Sequence, residues 1–144
     1  MQPAIIVFGL EDDIDDTFFI KEAFLKLGIQ EYEFFSDPAE FFAVFNEDIH
    51  VAVVDFNLPG MNGQEVLDRI LRINKSCRVV IISGNITNEM TVQLSLSGAK
   101  DCVVKQRGWE VKLAKIVKGH IEAAQNDIME FNRVRNEIKS ILRK

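Results

Sequence analysis

The stretch VAVVDFNLPGMNG, Val51 to Gly63, decides the fold. Four apolar residues run into Asp55, and Pro59, Gly60 and Gly63 follow. A short Val-rich run bounded by Pro/Gly punctuation predicts a buried strand that breaks into a loop. A carboxylate at that junction sits where an open α/β sheet keeps its ligands, beyond the carboxyl ends of its strands. Taken alone, Asp55 reads more simply as a polar residue closing a strand, because loops often begin with Asp for local hydrogen-bonding reasons. Its neighbours must decide.

Working outward, strand-like and helix-like segments alternate. Ala4 to Leu10 predicts a first strand, and Asp13 or Asp15 starts a helix whose Ile20, Ala23, Phe24 and Leu27 share one face. Gly28 stops it as a left-handed cap does. Tyr32 to Phe35 is a second strand, and SDPAEFFAVF a helix with Ser36 or Asp37 as N-cap and Pro38 near its first position. Val51 to Val54 is the third strand, followed by an amphipathic helix carrying Val66, Leu67, Ile70 and Leu71. Arg78 to Ile82 is the fourth, Thr87 to Ser97 a weaker helix ending at Gly98, and Asp101 to Val104 the fifth strand. Trp109 or Glu110 opens a long terminal helix. Strands alternating with helices across short loops predict a parallel sheet covered on both faces, and right-handed crossovers make it doubly wound.

Composition narrows the function classes. The 144 residues are the size of one domain, 47% hydrophobic and 27% charged, as in a soluble globular protein. No apolar run approaches the ~20 residues of a membrane span, and the first residues lack the basic leader of a secretory signal, so no membrane partner is expected. Cys77 and Cys102 form no CxxC pair, and His50 and His120 are far apart, so no zinc spacing exists and a cytoplasmic, reducing setting is expected. A net charge of −5 argues against a nucleic-acid partner. From Glu110 to Lys144 eight Lys/Arg face five Asp/Glu, a local +3 that leaves −8 for residues 1–109.

Parallel strand polarity has a chemical consequence. Residues just past the first, third, fourth and fifth strands surface along one edge: Glu11 and Asp12, then Asp55, Ser83 and Lys105. Crowded carboxylates raise one another's pKa unless a cation neutralises them. An oxygen-only set of this kind suits Mg²⁺. Mg²⁺ and Lys105 together leave room for one more anion, and a transferring phosphoryl group is the obvious candidate. Asp55 is then the acceptor, since a carboxylate can form an acyl phosphate.

IIVFGLEDD, VAVVDFNLPGMNG, VVIISG and GAKDCVVKQ together resemble the receiver domain of two-component response regulators. The resemblance covers roughly Ala4 to Lys105 and the start of the last helix. Its intervals also agree: Asp12 to Asp55 is 43 residues, Asp55 to Ser83 is 28, and Ser83 to Lys105 is 22. It implies a flavodoxin-like sheet of order 2-1-3-4-5. It also implies that Asp55 is phosphorylated by a histidine kinase or phosphotransfer protein. Asp12 and Asp55 would bind Mg²⁺ directly, Glu11 through water, and the Asn57 carbonyl would complete the set. Ser83 would hydrogen-bond the phosphoryl group, Lys105 would pair with Asp55 and then with that group, and Asn57 and Asn85 would tune hydrolysis.

Three features depart from the family pattern. Gln106 stands where proline usually follows the lysine, so a trans bond is expected there. Cys102 replaces the aromatic switch residue, and a small buried hydrophobe is the better reading of it than a redox sensor. Gly9 interrupts the first strand, through close packing nearby or for no functional reason.

The last helix is also long: a receiver body over residues 1–125 is expected, with residues 126–144 extending its final helix. Val117, Ile121, Ala124, Ile128 and Phe131 step by 4, 3, 4 and 3; Val134, Ile138 and Ile141 continue after a break in register. Near-heptad spacing suits helix pairing, with Ile121, Ile128, Phe131 and Ile138 as the seam and a homodimer as the product. The stripe folding back on its own body is the alternative.

The expected function is a single-domain response regulator that signals to a downstream protein. A degenerate receiver acting only as an interaction module is the alternative. A Mg²⁺-dependent phosphohydrolase would want a second acid at position 57, which is Asn, and a flavodoxin relative would want a phosphate-cradling loop after the first strand.

Overall fold

The computed structural model describes residues 2–143, so Lys144 of the expected extension lies outside the described residues. Val51–Asp55 forms strand β3, buried along its whole length. Parallel neighbours flank it: β1 (Val7–Leu10) on one side and β6 (Arg78–Ser83) on the other. Outside these lie β2 (Tyr32–Phe35) and β7 (Asp101–Val104), also parallel, giving the order β2-β1-β3-β6-β7. Two short strands, β4 (Asn57–Leu58) and β5 (Met61–Asn62), make a separate hairpin and account for the numbering gap. With them set aside, the order is the expected 2-1-3-4-5.

The helices are α1 (Ile14–Lys26), α2 (Pro38–Val44), α3 (Gly63–Ile73), α4 (Asn88–Leu96) and α5 (Trp109–Leu142). Alternation along the strands splits the core into two layers. Val7, Val51, Val53, Val80, Ile82 and Val103 pack with Ile20 and Phe24 of α1 and with Leu113 and Val117 of α5. Leu10, Ala52, Val54, Val79 and Ile81 pack with Phe41 of α2, Leu67 and Ile70 of α3 and Leu94 of α4. The sheet is therefore doubly wound.

Local chemistry sets where each helix begins and ends. Asp13, Asp37, Asn62 and Thr87 each accept a backbone N–H at a helix start, satisfying donors that have no partner within the helix. The open choices resolve to Asp13 and Asp37. The turn between β4 and β5 is Pro59–Gly60, with Gly60 at φ +77, the positive value that the third position of a type II turn requires. Gly9 has a packing reason. A Cβ there would lie 2.2 Å from Cε2 of Phe34, which is paired with it across β1 and β2.

The terminal helix runs on to Leu142 as expected, but its stripe does not behave as one seam. Ile121 and Ile128 are half-buried against the core layer of α1 and the sheet, so their expected pairing role is corrected: this part of the stripe is covered within the chain. Phe131 and Ile138 remain 65% and 52% exposed.

Candidate functional site

The carboxyl edge of the sheet gathers the expected side chains because strand-type hydrogen bonding continues past the strand ends. Glu11 N–H donates to Phe35 O at 3.0 Å, Phe56 N–H to Ile82 O at 2.8 Å, and Lys105 N–H to Ser83 O at 2.8 Å. Glu11, Asp55 and Ser83 are each fixed in or beside a strand and are buried, while Asp12 faces solvent.

One ammonium binds the acids together. Lys105 Nζ donates to Glu11 Oε2 at 2.8 Å, to Asp16 Oδ2 at 2.8 Å and to Asp55 Oδ2 at 3.4 Å. It also lies 5.6 Å from the centre of the Trp109 ring, a cation–π contact with the first residue of α5. The sequence reading placed Lys105 with Asp55 and missed Asp16. The available signal was spacing, since Asp16 is four residues beyond Asp12 and projects from the first turn of α1. The remaining Asp55 oxygen, Oδ1, accepts the Asn57 backbone N–H at 3.2 Å. Glu11 Oε1 accepts the Asp13 N–H at 3.0 Å.

Ser83 lies within a small polar loop. Its Oγ donates to Asn85 O at 3.1 Å, accepts the Asn85 N–H at 3.2 Å, and meets Asn57 Nδ2 at a long 3.4 Å. Asn57 and Asn85 thus both adjoin the hydroxyl. Cys102 does not join them. Its side chain packs into the core layer beneath α3 and α4, and burial followed by the Asp101 charge raises its thiol pKa. Paired with Ile81, it lies on the same face of the sheet as Ser83, one pleat repeat further into the core. The Lys105–Gln106 bond is trans, as expected.

The electrostatics favour a cation. Carboxylate oxygens of Glu11, Asp12 and Asp55 lie within 4.8 Å of one another. Burial pushes the Glu11 carboxyl up to about 7 and the Asp55 charge adds to the rise, against the pull of Lys105 and of the Asp13 N–H. Burial opposes the Lys105 ammonium, yet hydrogen bonds to Asp16 and Glu11 outweigh it and hold its pKa above the ordinary lysine range. Counting Asp16, a single ammonium faces four carboxylates. An oxygen-only cluster with a net negative charge and one solvent-facing member fits a hard divalent ion such as Mg²⁺.

Residues 7–118 match the family model described as the response regulator receiver domain. The chain belongs to the response regulator receiver family.

Relatives and solved structures agree with this receiver's fold. A cyclic di-GMP phosphodiesterase of Thermotoga maritima is 32% identical over 99 residues, covering 69% of this chain and 25% of that protein. The chemotaxis protein CheY of Treponema pallidum is 28% identical over 99 residues, covering 64% of this chain and 69% of that one. This receiver therefore spans a quarter of the phosphodiesterase and about two-thirds of the chemotaxis protein. The signal receiver domain of a putative LuxO repressor from Vibrio parahaemolyticus superposes with a TM-score of 0.76 at 22% identity, over 88% of this chain and 97% of that one. A CheY-like receiver from Methanospirillum hungatei gives 0.75 at 21% identity, over 87% and 99% of the two chains. Among the described residues no helix is long and apolar enough to cross a membrane.

Proposed function

We propose that this receiver accepts a phosphoryl group on Asp55 from the phosphohistidine of a histidine kinase or phosphotransfer protein. The observation that carries the reading is Lys105 Nζ reaching Asp55, 50 residues away in sequence, within a rim of acids. An Asp55 carboxylate oxygen attacks phosphorus, a P–O bond forms, and the P–N bond to the donor imidazole breaks. The imidazole leaves with the electron pair and takes a proton from solvent.

Each neighbour has a task in that exchange. The Asn57 N–H fixes the rotation of the Asp55 carboxylate through Oδ1, leaving Oδ2 on the side of Lys105. Lys105 is a movable charge, held now by Glu11 and Asp16 and able to turn to a phosphoryl oxygen. Ser83 Oγ donates only to a carbonyl two residues away, so it can exchange that bond for a phosphoryl oxygen and draw its loop inward. Glu11, Asp12 and Asp55, with the Asn57 carbonyl, would hold Mg²⁺. Bound there, Mg²⁺ supplies positive charge to the oxygens that gain negative charge during transfer.

The donor needs a surface to dock on. Ile14 and Phe18 of α1 are 85% and 57% exposed and border a groove of about 380 Å³ that begins at Glu11 and Asp12. Output contacts are proposed at α4, where Val92 and Leu96 are exposed on the far flank of the site. Phosphorylation would bias two arrangements of that flank, so the bound phosphoryl group acts as the ligand in a population shift. In this reading the receiver is of the single-domain type, works in the cytoplasm, and catalyses only its own phosphoryl transfer and dephosphorylation.

The test is incubation with acetyl phosphate and Mg²⁺, with intact mass as the readout. One added phosphoryl group that is lost in Asp55→Asn and removed by hydroxylamine supports the proposal. No adduct, under conditions that modify a control receiver, would leave the chain as an interaction module.

A further inference from the structure

The register break in α5 divides the helix into two working faces. Val117 and Ala124 are buried, and Ile121 and Ile128 half-buried, against α1 and the sheet. Arg78 Nη2 pairs with Asp127 Oδ2 at 3.2 Å, His120 Nε2 lies 2.6 Å from Asp101 Oδ2, and Gln125 donates to Pro3 O at 3.0 Å. These contacts fix the helix to the body through residue 128, and Phe131 still borders a groove with His50, Leu71 and Asn74. Past Ile128 no residue of α5 belongs to either core layer.

A second apolar stripe begins there. Phe131, Val134, Ile138 and Ile141 are 65%, 39%, 52% and 69% exposed. They step by 3, 4 and 3, which is the a, d, a, d spacing of a heptad seam. At 100° per residue the stripe is turned roughly a quarter turn from the face that meets the body. Asn132, Arg133, Asn136, Lys139, Ser140 and Arg143 occupy the outward positions, so the seam is narrow and bounded by polar residues. That pattern suits helix-to-helix pairing.

Charge then identifies the occupant. With Phe131 at a, Glu130 and Glu137 fall at g and Arg135 at e. In a parallel pair a g residue meets the partner's e residue five positions on. Glu130 of each copy thus meets Arg135 of the other, twice by symmetry. In an antiparallel pair g meets g, and Glu130 would face Glu137. Arg133 reaches both glutamates along its own helix, at 2.6 Å and 2.5 Å, and so holds them at the edge of the seam.

We infer that this face is covered by another copy of the same chain, with the helices parallel and paired from Phe131 onward. Over the described residues the seam covers about two heptads, so the association of this 144-residue chain is expected to depend on concentration. The inference does not rest on phosphoryl chemistry at Asp55.

Sedimentation equilibrium of the full chain over a wide concentration range tests it, with Cys102→Ser as the background for cross-linking. The expected result is a monomer–dimer equilibrium. Ile138→Glu should weaken it about tenfold or more, since it places a charge in the seam. Glu130→Arg and Arg135→Glu should each weaken it roughly threefold, and the double variant should restore it. All three positions lie outside the core, and circular dichroism confirms that the variants fold. Ile138→Cys should cross-link to itself under mild oxidation, because a parallel pair sets position 138 against its own copy, whereas the antiparallel register that keeps the seam sets it against Val134. A monomer at all concentrations overturns the inference, as does association that Ile138→Glu leaves intact. So does an associating Ile138→Cys variant that fails to cross-link.

Discussion

Asp16 holds the Lys105 ammonium at 2.8 Å, closer than Asp55 does at 3.4 Å. The acid on α1 therefore competes for the charge that the phosphoacceptor will need. A net hydrogen bond of about 1 kcal/mol is a factor of roughly five in an equilibrium. Asp16→Asn is accordingly expected to take up phosphoryl from acetyl phosphate about fivefold faster at subsaturating donor. Stopped-flow fluorescence can follow this, because Trp109 lies against Lys105. An unchanged or slower rate would mean that Asp16 positions the lysine instead of withholding it.

Lys105 also compensates buried acids that have no other cation among the described residues. Replacing it by Met leaves Glu11 and Asp55 buried and unpaired. Breaking one side of a buried pair costs about 3–5 kcal/mol, and partial hydration of this rim should reduce that to about 2–3. Urea titration of Lys105→Met should show this deficit in EDTA. In saturating Mg²⁺ the deficit should shrink, because a divalent ion replaces the missing charge. An equal deficit in both conditions would argue that the acids do not share a cation site.

Glu11 gives the site a pH dependence. Folding raises its pKa from 4.5 to about 7, with burial as the main cause. Between those values the metal-free folded state holds more protons than the unfolded chain, so this residue's contribution to stability declines as pH rises from about 4.5 to 7. Mg²⁺ must displace the same proton. Its affinity should therefore increase from pH 6 to pH 8, with proton release seen in calorimetry as a dependence on buffer ionisation enthalpy. Glu11→Gln should flatten both trends.

The strands and helix starts were legible in the sequence because they follow from local chemistry. Val51 to Val54 is apolar on both faces, and Asp37–Pro38 carries a cap and a first-turn proline together. The rim was legible because parallel polarity brings all strand ends to one edge. What escaped depends on partners remote in sequence. Asp16 joins the site only once α1 is docked at a particular rotation. The two-residue strands β4 and β5 are too short to show a period. The α5 stripe could not announce where the body ends, because spacings of 3.5 and 3.6 are indistinguishable over a few turns. Cys102 was placed with the switch residues by family position, and the alternation of β7 sets it on the Ser83 face, packed against the layer of α3 and α4.

The reason for Gly9 also lay on another strand, and it leads to a stability prediction. A Cβ at this position would fall 2.2 to 2.7 Å from three atoms of the Phe34 ring. That ring is backed at 6.1 Å by Phe24 and 5.8 Å by Tyr32, so it can give way only toward the groove beside Glu11 and Asp12. Overpacking of a core costs about 1–3 kcal/mol, and Gly9→Ala should fall in that range, with Gly9→Val higher. β1 leads directly into Glu11 and Asp12, so the strain should reach the rim and weaken Mg²⁺ binding as well. Gly9→Ala combined with Phe34→Leu should recover most of both losses, because the shorter side chain vacates the space the methyl needs. Chemical denaturation and magnesium titration of the single and double variants provide the measurement. A double variant no better than the sum of its parts would show that the glycine answers to the strand's backbone and not to the ring above it.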